Sequence, residues 1–197
     1  MSAGNPTGFL MPMRRFLRDR RGLSAIEFAL LLPVMLTLFL GGTEITQGIT
    51  IKRKTTIVTR TIGDLVSQDT SVTNGEMNSI FLASAAVLAP FSAGNLKLIV
   101  SSIGINADGV AKIVWSDAST GATARSRGDV ITLPEGLANF PNTTLIWAEA
   151  QYDYTPTVGY VITGSLPLKD HLYLRPRLVS KVCREKGGQT YCDPPAS

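Results

Sequence analysis

Charge and reactive side chains are scarce in this chain of 197 residues. Only 17% of residues are charged, and histidine occurs once, as His171. A histidine-based catalytic triad would have to use that residue, yet no serine or cysteine stands in a G-x-S-x-G-type nucleophile setting. On an apolar strand edge, His171 reads as a half-buried structural residue. Phosphate-cradling glycine loops are missing too: there is neither a Walker A sequence nor a G-x-G-x-x-G. The two cysteines, Cys183 and Cys192, lie near the C-terminus and form no C-x-x-C, which argues against a zinc or redox centre. No metal, cofactor, small-molecule substrate or nucleic-acid partner is expected. A hydrophobic content of 44% excludes wholesale disorder.

The basic balance, a net charge of +4, is local in origin. Arg14, Arg15, Arg18, Arg20 and Arg21 crowd into one short stretch, and an apolar run follows at once. From Leu23 to Ile45 only Glu27 and Glu44 carry charge. As a helix rising 1.5 Å per residue, that stretch is long enough for a hydrocarbon core of about 30 Å. The run exceeds a signal-peptide h-region and no A-x-A site follows it. Arginines ahead of the span favour a cytoplasmic N-terminus, although Lys52, Arg53, Lys54 and Arg60 beyond it weaken the bias. A lone close cysteine pair suits a disulfide in an oxidising compartment, which places the C-terminal part outside the cytoplasm. The basic residues therefore speak of membrane topology and of contact with lipid, not of nucleic acid.

Glu27 is the odd residue of the span. Burying a carboxylate there costs roughly 3 kcal/mol or more unless it is paired, so its presence is a functional hypothesis by default. Counted from Leu23, Glu27 is the fifth residue. Cleavage between Gly22 and Leu23 would free an α-amine one helical turn from that carboxylate, able to pair with Glu27 of a neighbouring helix. It would also remove the five arginines and Asp19, leaving a chain near neutral. Glycine followed by an apolar stretch with glutamate at its fifth position resembles a prepilin cleavage site. More closely, the run Arg21-Gly22-Leu23-Ser24-Ala25-Ile26-Glu27-Phe28-Ala29-Leu30 resembles the start of TadE-like proteins, minor pseudopilins of the tight-adherence (Flp) pilus system.

The resemblance implies a prepilin peptidase as processing enzyme, and other pilin-like subunits and platform proteins of the Tad system as partners. It also implies a location in a bacterial inner membrane, with the C-terminal domain in the periplasm and incorporation into the pilus left open. Gly22 and Leu23 would form the scissile bond, Glu27 and Phe28 would serve processing and assembly, and the protein would be a substrate rather than an enzyme. An uncleaved, membrane-anchored envelope binding protein is the alternative.

Further along, an α+β arrangement is expected. It comprises a cytoplasmic leader over 1–22, a membrane helix over 23–45, a helical extension and linker over 46–75, and an extracytoplasmic domain over 76–197. Pro33 predicts a kink in the first helix, which continues to about Gln68. Ile51, Thr55, Val58, Ile62, Leu65 and Val66 gather on one face of it, with Lys52, Arg53, Arg60 and Asp64 opposite and Ile57 breaking the pattern. Thr73 and Glu76 fit a capping box for a second helix over 76–88, stopped by Pro90 and packed on the sheet.

Strands are expected over 96–106 and 110–116 around the Asp108-Gly109 turn, at 129–133, over 143–155, and over 171–182. In the last of these Pro176 demands an edge or a bulge. Between them, 117–128 reads as a polar loop, and the tail from Lys186 reads as a loop tied back by the cysteines. A Cys183–Cys192 bridge would contribute roughly 2–3 kcal/mol by restricting the unfolded chain. Tyr152-Asp153-Tyr154-Thr155-Pro156, Arg175-Pro176-Arg177 and the closing cysteines also resemble the ends of TadE-like proteins.

Three short motifs carry little. Asp117-Ala118-Ser119-Thr120-Gly121 departs from the metal motif of von Willebrand A domains at Gly121. Arg127-Gly128-Asp129 is too short to specify adhesion. Asn142-Thr143-Thr144 reads as a turn after Pro141.

Overall fold

The computed structural model describes residues 21–137, 140–156 and 164–194. The chain is α+β, and one helix, α1 (Arg21–Ser67), is its spine. It runs as a single helix through Pro33, close to the bounds its sequence predicts. Threonine hydroxyls along it, among them those of Thr55 and Thr59, bond the carbonyl one turn back. This lets the two threonines lie fully buried among apolar side chains. The expected face is the buried one: Ile51, Thr55, Val58, Ile62 and Val66 are all within the core, whereas Arg53, Arg60 and Ile57 are exposed.

After the two-residue strand β1 (Ser71–Val72) comes α2 (Asn74–Ala86), capped as its sequence predicts. The Thr73 main-chain N–H and hydroxyl donate to the Glu76 carboxylate, and the Glu76 N–H donates to Thr73. Met77, Ile80 and Ser84 are its buried residues, while Leu88 is buried in the turn beyond it. Its main packing partner is α1, not the sheet that had been expected.

Five strands form an antiparallel sheet in the order β4-β3-β2-β5-β6: β2 (Leu96–Ile105), β3 (Ala111–Ala118), β4 (Val130–Ile131), β5 (Thr144–Tyr154) and β6 (Leu166–Leu174). The β2–β3 turn closes at Gly109, whose φ of 80° suits glycine. Asn142, with φ of 57°, makes the turn ahead of β5. On β5 the side chains of Ile146, Ala148, Ala150, Tyr152 and Tyr154 face inward, as alternation requires. Gly63 marks the closest approach of α1 to this face: a Cβ there would stand 2.9 Å from Leu174 and 3.1 Å from Ala148. A second, smaller apolar cluster (Ile103, Ile105, Ala111, Ile113, Leu145) is covered by Ile131, Leu133 and Leu137.

Further expectations need correction. The last long strand is β6, which ends at Leu174 rather than spanning 171–182. Pro176 has no N–H for a ladder, and Arg177 is claimed by the end of α1: its main-chain N–H donates to the Ser67 carbonyl and its guanidinium pairs with Asp64. The tail is not a loop. β7 (Cys183–Lys186) and β8 (Gln189–Tyr191) form a hairpin, and β7 pairs in parallel with β1 to make a second small sheet. The Cys183–Cys192 disulfide closes this hairpin. Finally, His171 is exposed on β6 rather than half-buried, opposite Glu149 and edge-on to Tyr173.

Candidate assembly surface on the long helix

The core draws on α1 only from Ile51 onward, so its N-terminal half stands clear of the domain. Every residue from Ser24 to Phe39 is exposed. Most are large and apolar, with Phe28 62% and Leu38 72% exposed. Such a surface is far larger than the scattered apolar residues of a soluble protein and needs another apolar environment to cover it. The helix is long and apolar enough to cross a membrane.

The domain takes hold of the helix where the apolar run ends. Gly41 and Glu44 are buried. The Tyr154 hydroxyl, at the end of β5, donates to the Glu44 main-chain carbonyl at 3.1 Å. Its ring also lies 3.5 Å from where a Gly48 Cβ would stand. Burial, with the nearby Glu44 carboxylate adding to it, pushes the Tyr154 phenol above its usual pKa.

Of the residues singled out in the sequence, Gly22 and Leu23 lie in the first turn of α1, where Arg21 is the first residue. Glu27 and Phe28 follow one turn later, both exposed on the apolar half. These four stand together at one end of the molecule. Arg14, Arg15, Arg18 and Arg20 lie outside the described residues. Cys183 and Cys192 are joined, but in the terminal hairpin, far along the chain from Glu27.

Sequence reasoning missed the polar centre that holds this hairpin. Arg184 is 2% exposed, and its guanidinium is fully engaged. It donates to Asp117 from Nε at 2.6 Å, to the Val72 carbonyl at 3.0 Å and to Asn74 at 2.6 Å. Lys186 adds a second cation on Asp117 at 3.0 Å. Asp117 belongs to β3, not to the polar loop that its sequence suggests. The position of Arg184, next to Cys183, was the one available signal. Also unforeseen is a stack on the outer face of the sheet, where Arg125 lies 3.6 Å over the Trp147 ring and pairs with Glu149, and Trp147 stacks on Tyr173.

Among the described residues, one apolar helix both stands clear of a disulfide-closed α+β domain and enters its core, an arrangement that suggests a single-pass membrane anchor. Residues 22–60 match the TadE-like protein family. The match opens at Gly22, takes in the whole exposed half of α1 and ends at Arg60, within the stretch packed on the sheet. It does not reach the sheet itself or the terminal hairpin. No curated protein and no solved structure matches the chain. The TadE-like family comprises structural and assembly proteins of Tad pili rather than enzymes.

Proposed function

We propose that this protein is a minor pilin-like subunit of a Flp-type pilus, cut between Gly22 and Leu23 by a prepilin peptidase. The observation that carries the reading is the family match starting at Gly22, on a helix whose first half is apolar and exposed. In this reading residues 23–45 lie in the inner membrane and the leader, residues 1–22, faces the cytoplasm. The sheet domain stands outside, where its Cys183–Cys192 bridge is stable. Cleavage leaves Leu23 with a free α-amine, and Glu27, in an otherwise apolar stretch, receives the α-amine of an adjacent subunit. A carboxylate that costs several kcal/mol in hydrocarbon is thereby neutralised only on assembly. Phe28 and the apolar residues after it hold the subunit first in lipid and then among other helices.

The test is the intact mass and N-terminal sequence of the membrane-extracted protein, made with and without a cognate peptidase. A peptidase-dependent species beginning at Leu23 is expected. A chain that keeps its first 22 residues beside an active cognate peptidase would make the protein an uncleaved anchor and leave this reading without its first step. Glu27→Ala is expected to be cut yet to fail in supporting pili, and normal piliation by that variant would remove the pairing role.

A further inference from the structure

The membrane-distal end of the molecule carries a second feature that the pilin-like reading does not use. An open cleft of about 180 Å³ lies between β3, the 119–129 loop and the terminal hairpin. Its cations outnumber its carboxylates. Asp117, the acidic residue on its wall, is already satisfied by the buried Arg184, which spends its donors on Asp117, Val72, Asn74 and Glu185. Lys186 is therefore a surplus charge over the same carboxylate, and its side chain is 55% exposed. Arg127 is exposed as well, and forms no ion pair among the described residues. It gives one hydrogen bond to the Asp193 main-chain carbonyl and lies 5.1 Å from the centre of the Tyr191 ring. The Asp193 carboxylate itself is taken by Lys181.

We propose that this cleft, with Lys186 and Arg127 on either side and Tyr191 as its wall, is a docking site for an acidic segment of a partner protein. Three observations favour that occupant. The cleft is at the far end of α1 from the apolar half: β7, which carries Arg184 and Lys186, pairs with β1 just past Ser67. From Ile45 to Ser67 the helix rises roughly 33 Å, so headgroups of a membrane around the apolar half are out of reach. Lys186 and Arg127 stand on separate elements, the terminal hairpin and the 119–129 loop, so the two charges are presented side by side along the cleft. An aromatic wall beside two exposed cations suits a side-chain carboxylate carried on a peptide, where each charge meets its own partner.

The test reads binding directly and needs no pilus and no processing, so it can fail while the pilin-like reading stands. The full chain in detergent is titrated against a fluorescein-labelled hexaglutamate peptide, followed by anisotropy. Arg127→Glu/Lys186→Glu is expected to weaken binding about tenfold or more, because two attractive charges become repulsive. Arg53→Glu/Arg60→Glu, on the exposed face of α1, is expected to change it less than about twofold. All these variants keep the leader arginines, so binding there cancels. Should a glutamate beside Asp117 loosen the hairpin, Arg127→Gln/Lys186→Gln reads the same loss without like-charge strain. Wild-type affinity in the glutamine pair, or no peptide binding by the wild type, overturns the proposal. Displacement of the peptide by inorganic phosphate at equal or lower concentration overturns it too, because the site would then be one for a small anion.

Discussion

Tyr154 reaches across the boundary between the sheet and the spine: its hydroxyl donates to the main-chain carbonyl of Glu44, 110 residues earlier in the chain. The contact is buried and sits at the point where the apolar run gives way to the domain. Tyr154→Phe keeps the ring and removes only the donor. The Glu44 carbonyl still lies within the α1 hydrogen-bond ladder, so the expected loss is about 1 kcal/mol. Thermal unfolding followed by circular dichroism would read this as a melting temperature lower by several degrees.

Arg184 is buried and bonded to Asp117, Val72 and Asn74, so its loss is expected to be costly. Replacing it by methionine leaves Asp117 walled in with only the half-exposed Lys186, and the expected cost is about 3–5 kcal/mol. Urea unfolding would measure it. Arg184→Met/Asp117→Asn is expected to cost less than the sum of the two single changes, since the second removes the stranded charge created by the first.

Gly63 is predicted to resist enlargement. Valine there drives methyl groups into Leu174 and Ala148, on β6 and β5, and forces the helix away from the sheet. The expected destabilisation is about 1–3 kcal/mol, outweighing the gain in helix propensity over glycine. The readout is the urea midpoint, with Gly42→Val as control, since a Cβ at Gly42 meets nothing within 4 Å.

The capping box makes stability depend on acid. Hydrogen bonds from the Thr73 main chain and hydroxyl hold the Glu76 carboxyl below its usual pKa. A carboxyl with a lowered folded pKa contributes stability above its unfolded pKa, and that contribution fades as pH falls through the folded value. Asp153, lowered by Lys97 and then by Gln151, acts in the same direction. Asp69 acts in the other, because burial and then Glu76 raise its pKa, so its charge opposes folding near neutrality and the opposition lifts on acidification. Glu76→Gln is therefore expected to lower the melting temperature at neutral pH and to converge on the wild type as acidification carries the pH through the lowered folded pKa of Glu76. A constant gap between the two across that window would mean that the carboxylate is not what caps α2.

How far the sequence disclosed this molecule depended on how local each signal was. The spine was legible because apolar spacing and capping are written within a few residues: Ile51, Val58, Ile62 and Val66 fall on the face that packs, and Thr73 and Glu76 meet as expected. β5 was legible because Ile146 to Tyr154 alternate cleanly. What failed was non-local. Nothing near Arg177 announces that the end of α1 will take its N–H and its guanidinium, and that bond is why the strand stops at Leu174. Nor does Asp117 reveal that an arginine 67 residues away will pair with it. Parallel pairing of β1 with β7 joins two short segments whose alternation is too brief to read. The candidate site divides the same way. The run from Gly22 to Phe28 is visible in the sequence alone, whereas the distal cleft exists only once β3, the 119–129 loop and the hairpin are folded together.

That α1 is at once an exposed apolar rod and the central support of the core has a mechanical consequence. A pull on its first half is passed along the helix into the packed stretch, because α1 runs on from Arg21 through Pro33 to Ser67. Tension enters the globular part as shear along the helix–sheet seam, where α1 lies on β5 and β6 and many contacts bear the load side by side. Slipping the helix by one turn would bring side chains from neighbouring positions to the tight spot that Gly63 vacates. Sliding of the helix along the seam is therefore opposed sterically at Gly63, beside Leu174 and Ala148.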